Sequence, residues 1–258
     1  MNDANEIDTI INESGNNFHC KVTNYLIEKG WHTLVSPYYM DGGTGKAREI
    51  DLIAEKSWLY KDEWSKTYGT VNIKLFIECK YIPQNNVFWF SDKDMISAKD
   101  WVTSNTPLRD NNMFTDRHHY LSTNPKVAKL FASKNRPNVE NEVIYKALNQ
   151  SLNSMVYLRN QASIIPENSN RNVDILSTIE LPVILCNNFE KFHRVEMEDS
   201  SDPVRITDNF QLEVNYAYIE SRGDHRSEYF ILDIVDFNNL DDFLSVLESD
   251  KDAIFQIL

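Results

Sequence analysis

The chain has 258 residues, 41% of them hydrophobic, and a formal net charge of −13 at pH 7. That length suits one large domain, or one domain with an appendage, and no run approaches the roughly 18 apolar residues of a membrane span. The negative charge argues against a protein that coats nucleic acid unspecifically. No secretory signal is recognisable, and three scattered cysteines indicate reduced, buried thiols, so we expect a cytoplasmic protein.

The first elements follow the order helix, strand, strand, strand. Residues 6–29 are predicted to be helical because apolar residues recur at steps of three and four, and Gly30 is suited to end the helix in the left-handed conformation. Strands are predicted over 31–39, 48–55 and 71–81, with a tight turn at 41–45. The insertion before the third strand carries four aromatic residues that we expect to pack on the sheet: Trp58, Tyr60, Trp64 and Tyr68.

Helices and strands continue to the C-terminus. Helices are predicted over 97–103, 124–133, 139–159 and 240–248, and strands over 181–186, 192–197, 210–219 and 229–235. Helices between groups of strands indicate an α/β fold with a mixed sheet. We divide the chain into a core with a helical insertion, residues 1–170, and an acidic α+β extension, residues 171–258; whether both belong to one domain stays open.

Two strands carry charged residues where apolar ones are expected. Asp51 lies within REIDLIAEK, and Glu78 and Lys80 lie within LFIECKYIP. If these strands are neighbours, the three side chains converge, and two close carboxylates repel each other unless a cation lies between them. Such an oxygen site suits Mg²⁺, and the lysine could hold or deprotonate an attacking water. The alternative for Glu78 and Lys80 is an ion pair on a strand edge.

A helix followed by EIDLIA and IECK resembles the PD-(D/E)xK nuclease superfamily, in its Mrr-like or Holliday-junction-resolvase-like branch, over residues 6–82. The resemblance implies a restriction-endonuclease-like mixed central sheet flanked by helices, with the C-terminal strands as additions. It also implies a Mg²⁺-dependent endonuclease, with Mn²⁺ as a substitute, that acts on DNA in defence or repair. Asp51, Glu78 and the carbonyl of Cys79 would bind the metal, and Asp51, Glu78 and Lys80 would be the catalytic residues.

Members of this group often carry a glutamate on the first helix, and counting back from Gly30 reaches His19. A partly exposed helix histidine is the alternative for His19, and Glu13 and Glu49 are possible substitutes, Glu49 because it would share the strand face of Asp51. The helix after the E-x-K strand offers Gln150, with a surface glutamine as the alternative. RNA as a substrate and a homodimer remain open. The alternative function is a catalytically inactive module of the same fold that binds nucleic acid or protein.

The middle of the chain is its basic part, since residues 109–171 hold 9 Lys and Arg against 5 Asp and Glu, whereas residues 172–258 hold 6 against 19. Four cations there could contact phosphates, with a solvated helix face as the alternative: Lys126, Lys129, Lys134 and Arg136. The neighbouring pair His118-His119 has no Cys or His partner at zinc spacing, so no zinc site is predicted.

Overall fold

The computed structural model describes residues 15–64, 66–110, 112–133, 142–159, 161–166, 174–198, 202–220 and 223–258, together with Ile7 and Ile11. These residues form an α/β fold with one ten-stranded mixed sheet and a separate two-stranded hairpin. The helices are α1 (Asn16–Glu28), α2 (Met95–Asn105), α3 (His119–Ser122), α4 (Val143–Leu158) and α5 (Leu240–Phe255). The strands are β1 (His32–Val35), β2 (Tyr38–Asp41), β3 (Lys46–Glu49), β4 (Leu52–Lys61), β5 (Tyr68–Lys80), β6 (Asn86–Asp92), β7 (Lys126–Ser133), β8 (Asp174–Cys186), β9 (Phe192–Glu196), β10 (Val204–Arg205), β11 (Phe210–Ile219) and β12 (His225–Asp236).

The large sheet has the strand order β1-β4-β5-β8-β12-β11-β7-β6-β9-β10. Strands β4 and β5 are antiparallel neighbours, whereas β5 and β8 are parallel, and so are β8 and β12. The predicted mixed α/β sheet is therefore confirmed. Since β8 lies beside β5, one sheet contains strands from both segments predicted from the sequence, residues 1–170 and residues 171–258.

Strand β5 lies in the middle of the core, and every one of its residues from Gly69 to Cys79 is buried. Helices α4 and α5 cover the sheet from opposite sides. Lys56 of β4 pairs with Glu248 of α5, while the preceding residue, Glu55, accepts a hydrogen bond from Ser163, just after α4. Because successive side chains of a strand point to opposite faces, the two helices enclose β4 and β5 between them.

Helix α1 ends as the sequence predicts. Gly30 has a φ of +81°, its N–H donates to the carbonyl of Ile27 (2.9 Å), and the N–H of Trp31 donates to the carbonyl of Leu26 (2.9 Å). This is the Schellman arrangement, which a residue with a Cβ adopts only with strain. Of the predicted helical residues before Asn16, only Ile7, Ile11 and Gly15 are described, and Glu13 lies outside the described residues.

Two predicted elements are wrong in detail. The helix predicted over 124–133 is the strand β7, because Val127 and Ala128 join a sheet between β11 and β6. The strand predicted over 48–55 is divided between β3, which pairs with β2 in the hairpin, and β4, which joins the main sheet. Asp51 lies at the break, so the expectation that Glu49 shares its strand face does not hold.

Exposed side chains differ from expectation at three positions. Cys20 is exposed, whereas Cys79 and Cys186 are buried, and all three thiols are free. In the β4–β5 insertion, Trp58 packs on Trp31 with ring centroids 6.0 Å apart. Trp64 and Tyr68, by contrast, are exposed by 96% and 48%. The expectation of packing thus holds for Trp58 and fails for Trp64 and Tyr68.

Membrane insertion through a helix finds no support in the described part of the chain, where none of the helices has both the length and the hydrophobicity of a bilayer span.

Candidate active site

The antiparallel register of β4 and β5 brings Asp51 and Glu78 together. Leu52 pairs with Ile77, so Asp51, which precedes Leu52, faces Glu78, which follows Ile77. The backbone N–H of Cys79 donates to Oδ2 of Asp51 (2.8 Å), and this hydrogen bond connects the segment between β3 and β4 to the end of β5. The sequence-predicted residues Asp51, Glu78 and Lys80 are thereby collected at one end of two adjacent strands.

Glu78 and Lys80 form an ion pair through Oε1 and Nζ. The Glu78 side chain is completely buried and that of Lys80 is 20% exposed, so the pair lies at the boundary of the core. The second oxygen of Glu78, Oε2, has no hydrogen-bond partner among the described residues. Burial raises the pKa of Glu78 to about 7, against the pull of Lys80 and with a further contribution from the Asp51 carboxylate. A buried carboxylate with a pKa near neutrality is typical of functional sites.

His19 of α1 contacts Asp51, with Nε2 3.2 Å from Oδ2. The hydrogen bond to Asp51 raises the pKa of His19 despite burial. Burial opposes ionisation of Asp51, but the hydrogen bond from His19 and the charge of Lys80 outweigh it and lower the pKa of Asp51. Two carboxylates and two basic side chains therefore meet at the site. The His19 side chain is 24% exposed, as the alternative of a partly exposed helix histidine predicts, and it also contacts Asp51.

One ligand atom each of His19, Asp51 and Cys79 lies within 4.8 Å of the others, a spacing that could hold a metal ion. The Cys79 thiol is a poor donor because burial raises its pKa well above the ordinary value, and only a thiolate binds metal strongly. Glu78 does not belong to this group, and Asp51 is the member that offers oxygen atoms, the ligands that Mg²⁺ prefers.

The other accessory candidates lie apart from this group. Glu49 accepts a hydrogen bond from the hydroxyl of Tyr38 on the neighbouring strand of the hairpin. Gln150 of α4 faces an open cavity of about 570 Å³ between α4 and the β2–β3 hairpin, which we call the hairpin cleft. Its walls are Tyr39, Arg48, Tyr145, Lys146, Asn149, Gln150 and Asn153.

The predicted phosphate-contacting cations are engaged with carboxylates where they are described. Lys126 pairs with Glu196 (2.8 Å), and Lys129 pairs with Glu213. Both project from β7 rather than from a helix, so they do not form the helical strip expected from their spacing. Lys134 and Arg136 lie outside the described residues.

A second group of charged side chains, which the sequence did not predict, is buried around His119. Its Nδ1 contacts Asp250 of α5, and its Nε2 lies 3.1 Å from Oδ2 of Asp233 on β12. Burial opposes the charge of His119, but the two carboxylates raise its pKa to about 10. These partners are more than 100 residues away along the chain, so no local pattern could have revealed them.

His118 makes this second group resemble a metal site, since His118, His119 and Asp250 have ligand atoms within 4.8 Å of one another. However, the backbone N–H of Tyr120 donates to Nδ1 of His118 (3.2 Å). The proton of the neutral ring is then on Nε2, and a protonated nitrogen does not bind a metal. We interpret this group as a buried ion-pair cluster that joins α3, β12 and α5.

Comparison of the chain with models of protein families, with curated proteins and with solved structures gave no match.

Proposed function

We propose that the chain is a Mg²⁺-dependent nuclease with a restriction-endonuclease-like core that hydrolyses phosphodiester bonds in DNA. The observation that carries the proposal is the convergence of Asp51, Glu78 and Lys80 at the ends of β4 and β5. The order of elements supports it, since α1, β4 with Asp51 just before it, β5 with IECK, and α4 occur in the order that the resemblance implies. Strands β1 to β3 lie between α1 and β4, and β6, α2, α3 and β7 lie between β5 and α4.

The donor set fits a hard divalent cation. Oε2 of Glu78 is buried without a hydrogen-bond partner, and a carboxylate oxygen in that position costs free energy unless it meets a proton or a cation. Asp51, Glu78 and the carbonyl of Cys79 would hold Mg²⁺, or Mn²⁺ in its place. The metal would polarise a phosphoryl oxygen and make a bound water more acidic.

Lys80 supplies the positive charge that the reaction needs beside these carboxylates. Its ammonium group is partly exposed, so an incoming phosphate or water can reach it while it still contacts Glu78. There it would hold the attacking water or stabilise negative charge on the phosphorus centre. His19 is a positioning residue in this proposal, because its hydrogen bond keeps Asp51 ionised and oriented.

Cleavage assays test the proposal directly. Plasmid, linear, single-stranded DNA and RNA substrates are incubated with Mg²⁺, Mn²⁺ or EDTA, and products are separated on gels. We expect cleavage with metal only, lost in Asp51→Asn and retained in the matched variant Asp94→Asn. Asp94 also accepts a backbone hydrogen bond, from Ser97, but does so at the start of α2. Equal cleavage by both variants, or cleavage in EDTA, would contradict the proposal.

The alternative is a catalytically inactive module that binds nucleic acid or protein. It is favoured by the pairing within the site, because Asp51 and Glu78 already have basic partners, His19 and Lys80, without a metal. Nucleic acid that is bound in EDTA and remains uncut with either metal would identify this alternative.

A further inference from the structure

The hairpin cleft has a wall that core packing does not explain. Helix α4 buries the apolar stripe Ile144, Ala147, Leu148, Leu152 and Met155 against the sheet. Its cleft-facing residues Lys146, Asn149, Gln150 and Asn153 follow at i, i+3, i+4 and i+7, so they form a second stripe on one side of the helix. The second stripe is polar along its whole length.

Only one member of this polar stripe is engaged in holding the fold. Asn149 accepts a hydrogen bond from the hydroxyl of Tyr216 (3.0 Å) and donates to the carbonyl of Tyr145 (2.8 Å). The side chains of Lys146, Gln150 and Asn153 have no hydrogen-bond or ion-pair partner within the described ranges. Three polar side chains are therefore available to a ligand in the cleft.

The lining of the cleft is cationic, although the chain as a whole carries a net charge of −13. Arg48 and Lys146 face it, and no carboxylate is among the described lining residues. Arg48 donates through Nε to Asp41 (2.5 Å), and its two terminal nitrogens have no partner in the described part of the chain. This combination favours an anionic ligand with more than one contact point.

Tyr39 gives independent support for a ligand. Its side chain is 96% buried at the cleft wall, and its hydroxyl has no hydrogen-bond partner in the structure as described. Buried hydroxyl groups are rarely left unpaired, and an explanation is required when one is. An oxygen of a ligand in the cleft would accept the proton of this hydroxyl.

The cleft adjoins the candidate active site. Strand β3 ends at Glu49, two residues before Asp51, and the N–H of Ser36 donates to the carbonyl of Asp51 (3.0 Å). The hairpin is thus anchored directly to the metal-binding position. Burial, with the charge of Glu78 among the further causes, raises the pKa of the Tyr39 hydroxyl, so the wall of the cleft lies within electrostatic reach of the candidate active site.

We infer that the hairpin cleft binds single-stranded DNA and holds the unpaired nucleotides next to the bond that is cut; this rests on the proposed nuclease function. Arg48 and Lys146 contact phosphates, Tyr145 offers a face for stacking, and Gln150 and Asn153 reach base edges. A cavity of about 570 Å³ is in the size range of sites that enclose a small ligand. In a single strand the Watson–Crick edges are open to these side chains, whereas a base-paired duplex keeps them engaged with its own partner strand and offers only its groove edges.

The test is oligonucleotide binding without metal. Fluorescence anisotropy of a labelled 12-nucleotide single strand is measured in EDTA at several salt concentrations for the wild type, Lys146→Gln and Tyr39→Phe. We expect each variant to bind about tenfold more weakly, as for a lost hydrogen bond to a charged group. Lys146→Gln should also flatten the salt dependence by about 0.7, as for one phosphate contact, whereas Tyr39→Phe should leave it unchanged.

Two controls separate ligand binding from folding. Lys61→Gln removes an exposed lysine at the far end of β4, and its affinity should equal that of the wild type. Tyr39→Phe removes an unpaired buried hydroxyl, so its melting temperature should not fall while its affinity does. A residue with a merely structural role would not give that combination.

The outcomes distinguish this inference from the proposed function. If both cleft variants bind the single strand as tightly as Lys61→Gln, the inference is wrong even if metal-dependent cleavage is observed. If the cleft variants lose affinity while the wild type cuts nothing, the cleft binds single-stranded DNA, and the nuclease proposal fails together with the placement of a cut bond beside the cleft. A wild type that binds a duplex more tightly than the single strand also overturns the inference.

Discussion

The buried carboxylate of Glu78 leads to a quantitative prediction about stability and pH. Its pKa is about 7 in the folded protein, against an ordinary glutamate value of 4.5. Below pH 4.5 the group is protonated in the folded and the unfolded chain alike. As the pH rises from 4.5 to 7, the unfolded chain loses its proton first, so the free energy of unfolding falls. At 1.36 kcal/mol per pH unit, the full loss is about 3.4 kcal/mol.

The variant Glu78→Gln has no such titration. We therefore expect its free energy of unfolding, minus that of the wild type, to increase by about 3 kcal/mol between pH 4 and pH 8. The pH dependence of this difference is the reliable quantity, because the folded-state pKa of about 7 already includes the effect of Lys80, whose ion pair forms only as the Glu78 carboxyl ionises. His19 and Asp51 titrate in both proteins, so their contributions largely cancel.

Urea unfolding followed by circular dichroism at half-unit pH intervals measures the difference. Mg²⁺ adds a second observation, because a ligand that binds only the folded, ionised site stabilises the wild type and not the variant. The control Asp51→Asn removes a carboxyl whose pKa is lowered, so its pH dependence should have the opposite sign and lie at more acidic pH. A difference between Glu78→Gln and the wild type that stays constant from pH 4 to 8 would refute the reasoning from burial.

Three further predictions concern the two charged groups. Lys80→Ala should reduce single-turnover cleavage at least about a hundredfold with little change in metal affinity; a destabilised variant whose folded fraction cuts at the wild-type rate would make Lys80 purely structural. Mn²⁺ or Mg²⁺ should raise the melting temperature of the wild type but not that of Asp51→Asn, and an equal rise in both would place the metal elsewhere. Asp250→Asn should destabilise the fold by about 3–5 kcal/mol at pH 6, since it leaves His119 with one carboxylate. Because the pKa of His119 is raised to about 10, its contribution is complete below pH 6.5 and is lost as the pH approaches 10, so equal destabilisation at pH 6 and pH 10 would contradict this interpretation.

The sequence predicted those features that depend on neighbours along the chain. Gly30 ends α1 because a left-handed residue is needed there, and a glycine after an amphipathic run indicates such an end. Strand β5 was recognised from its apolar run, and the side-chain alternation that places Glu78 with Lys80 follows from strand geometry.

Features that depend on tertiary partners were missed. The segment KVAKLFAS has apolar residues at spacings compatible with helix or strand, and pairing with β6 and β11 decides for the strand β7. His19 and Asp51 are 32 positions apart, and only the resemblance to the nuclease superfamily made His19 a candidate site residue. Asp233 interrupts the apolar run FILDIV much as Asp51 interrupts its own, but its contact with His119 joins residues 114 positions apart. Asp250 lies on a helix, where an isolated aspartate is typical of solvated surface. Of the residues that line the hairpin cleft, only Gln150 was a candidate site residue from the sequence.

The position of β5 between β4 and β8 has a consequence for biosynthesis. Lys80 pairs with Cys186, so one long edge of β5 acquires its partner only after more than 100 further residues have been made. At about 5–20 residues per second, a ribosome needs roughly 5–20 s for that stretch. During this interval the nascent chain presents an apolar strand edge of the kind that pairs with other chains. We therefore expect the yield of native protein to depend on chaperones that shield residues 68–80 until the C-terminal half has been synthesised.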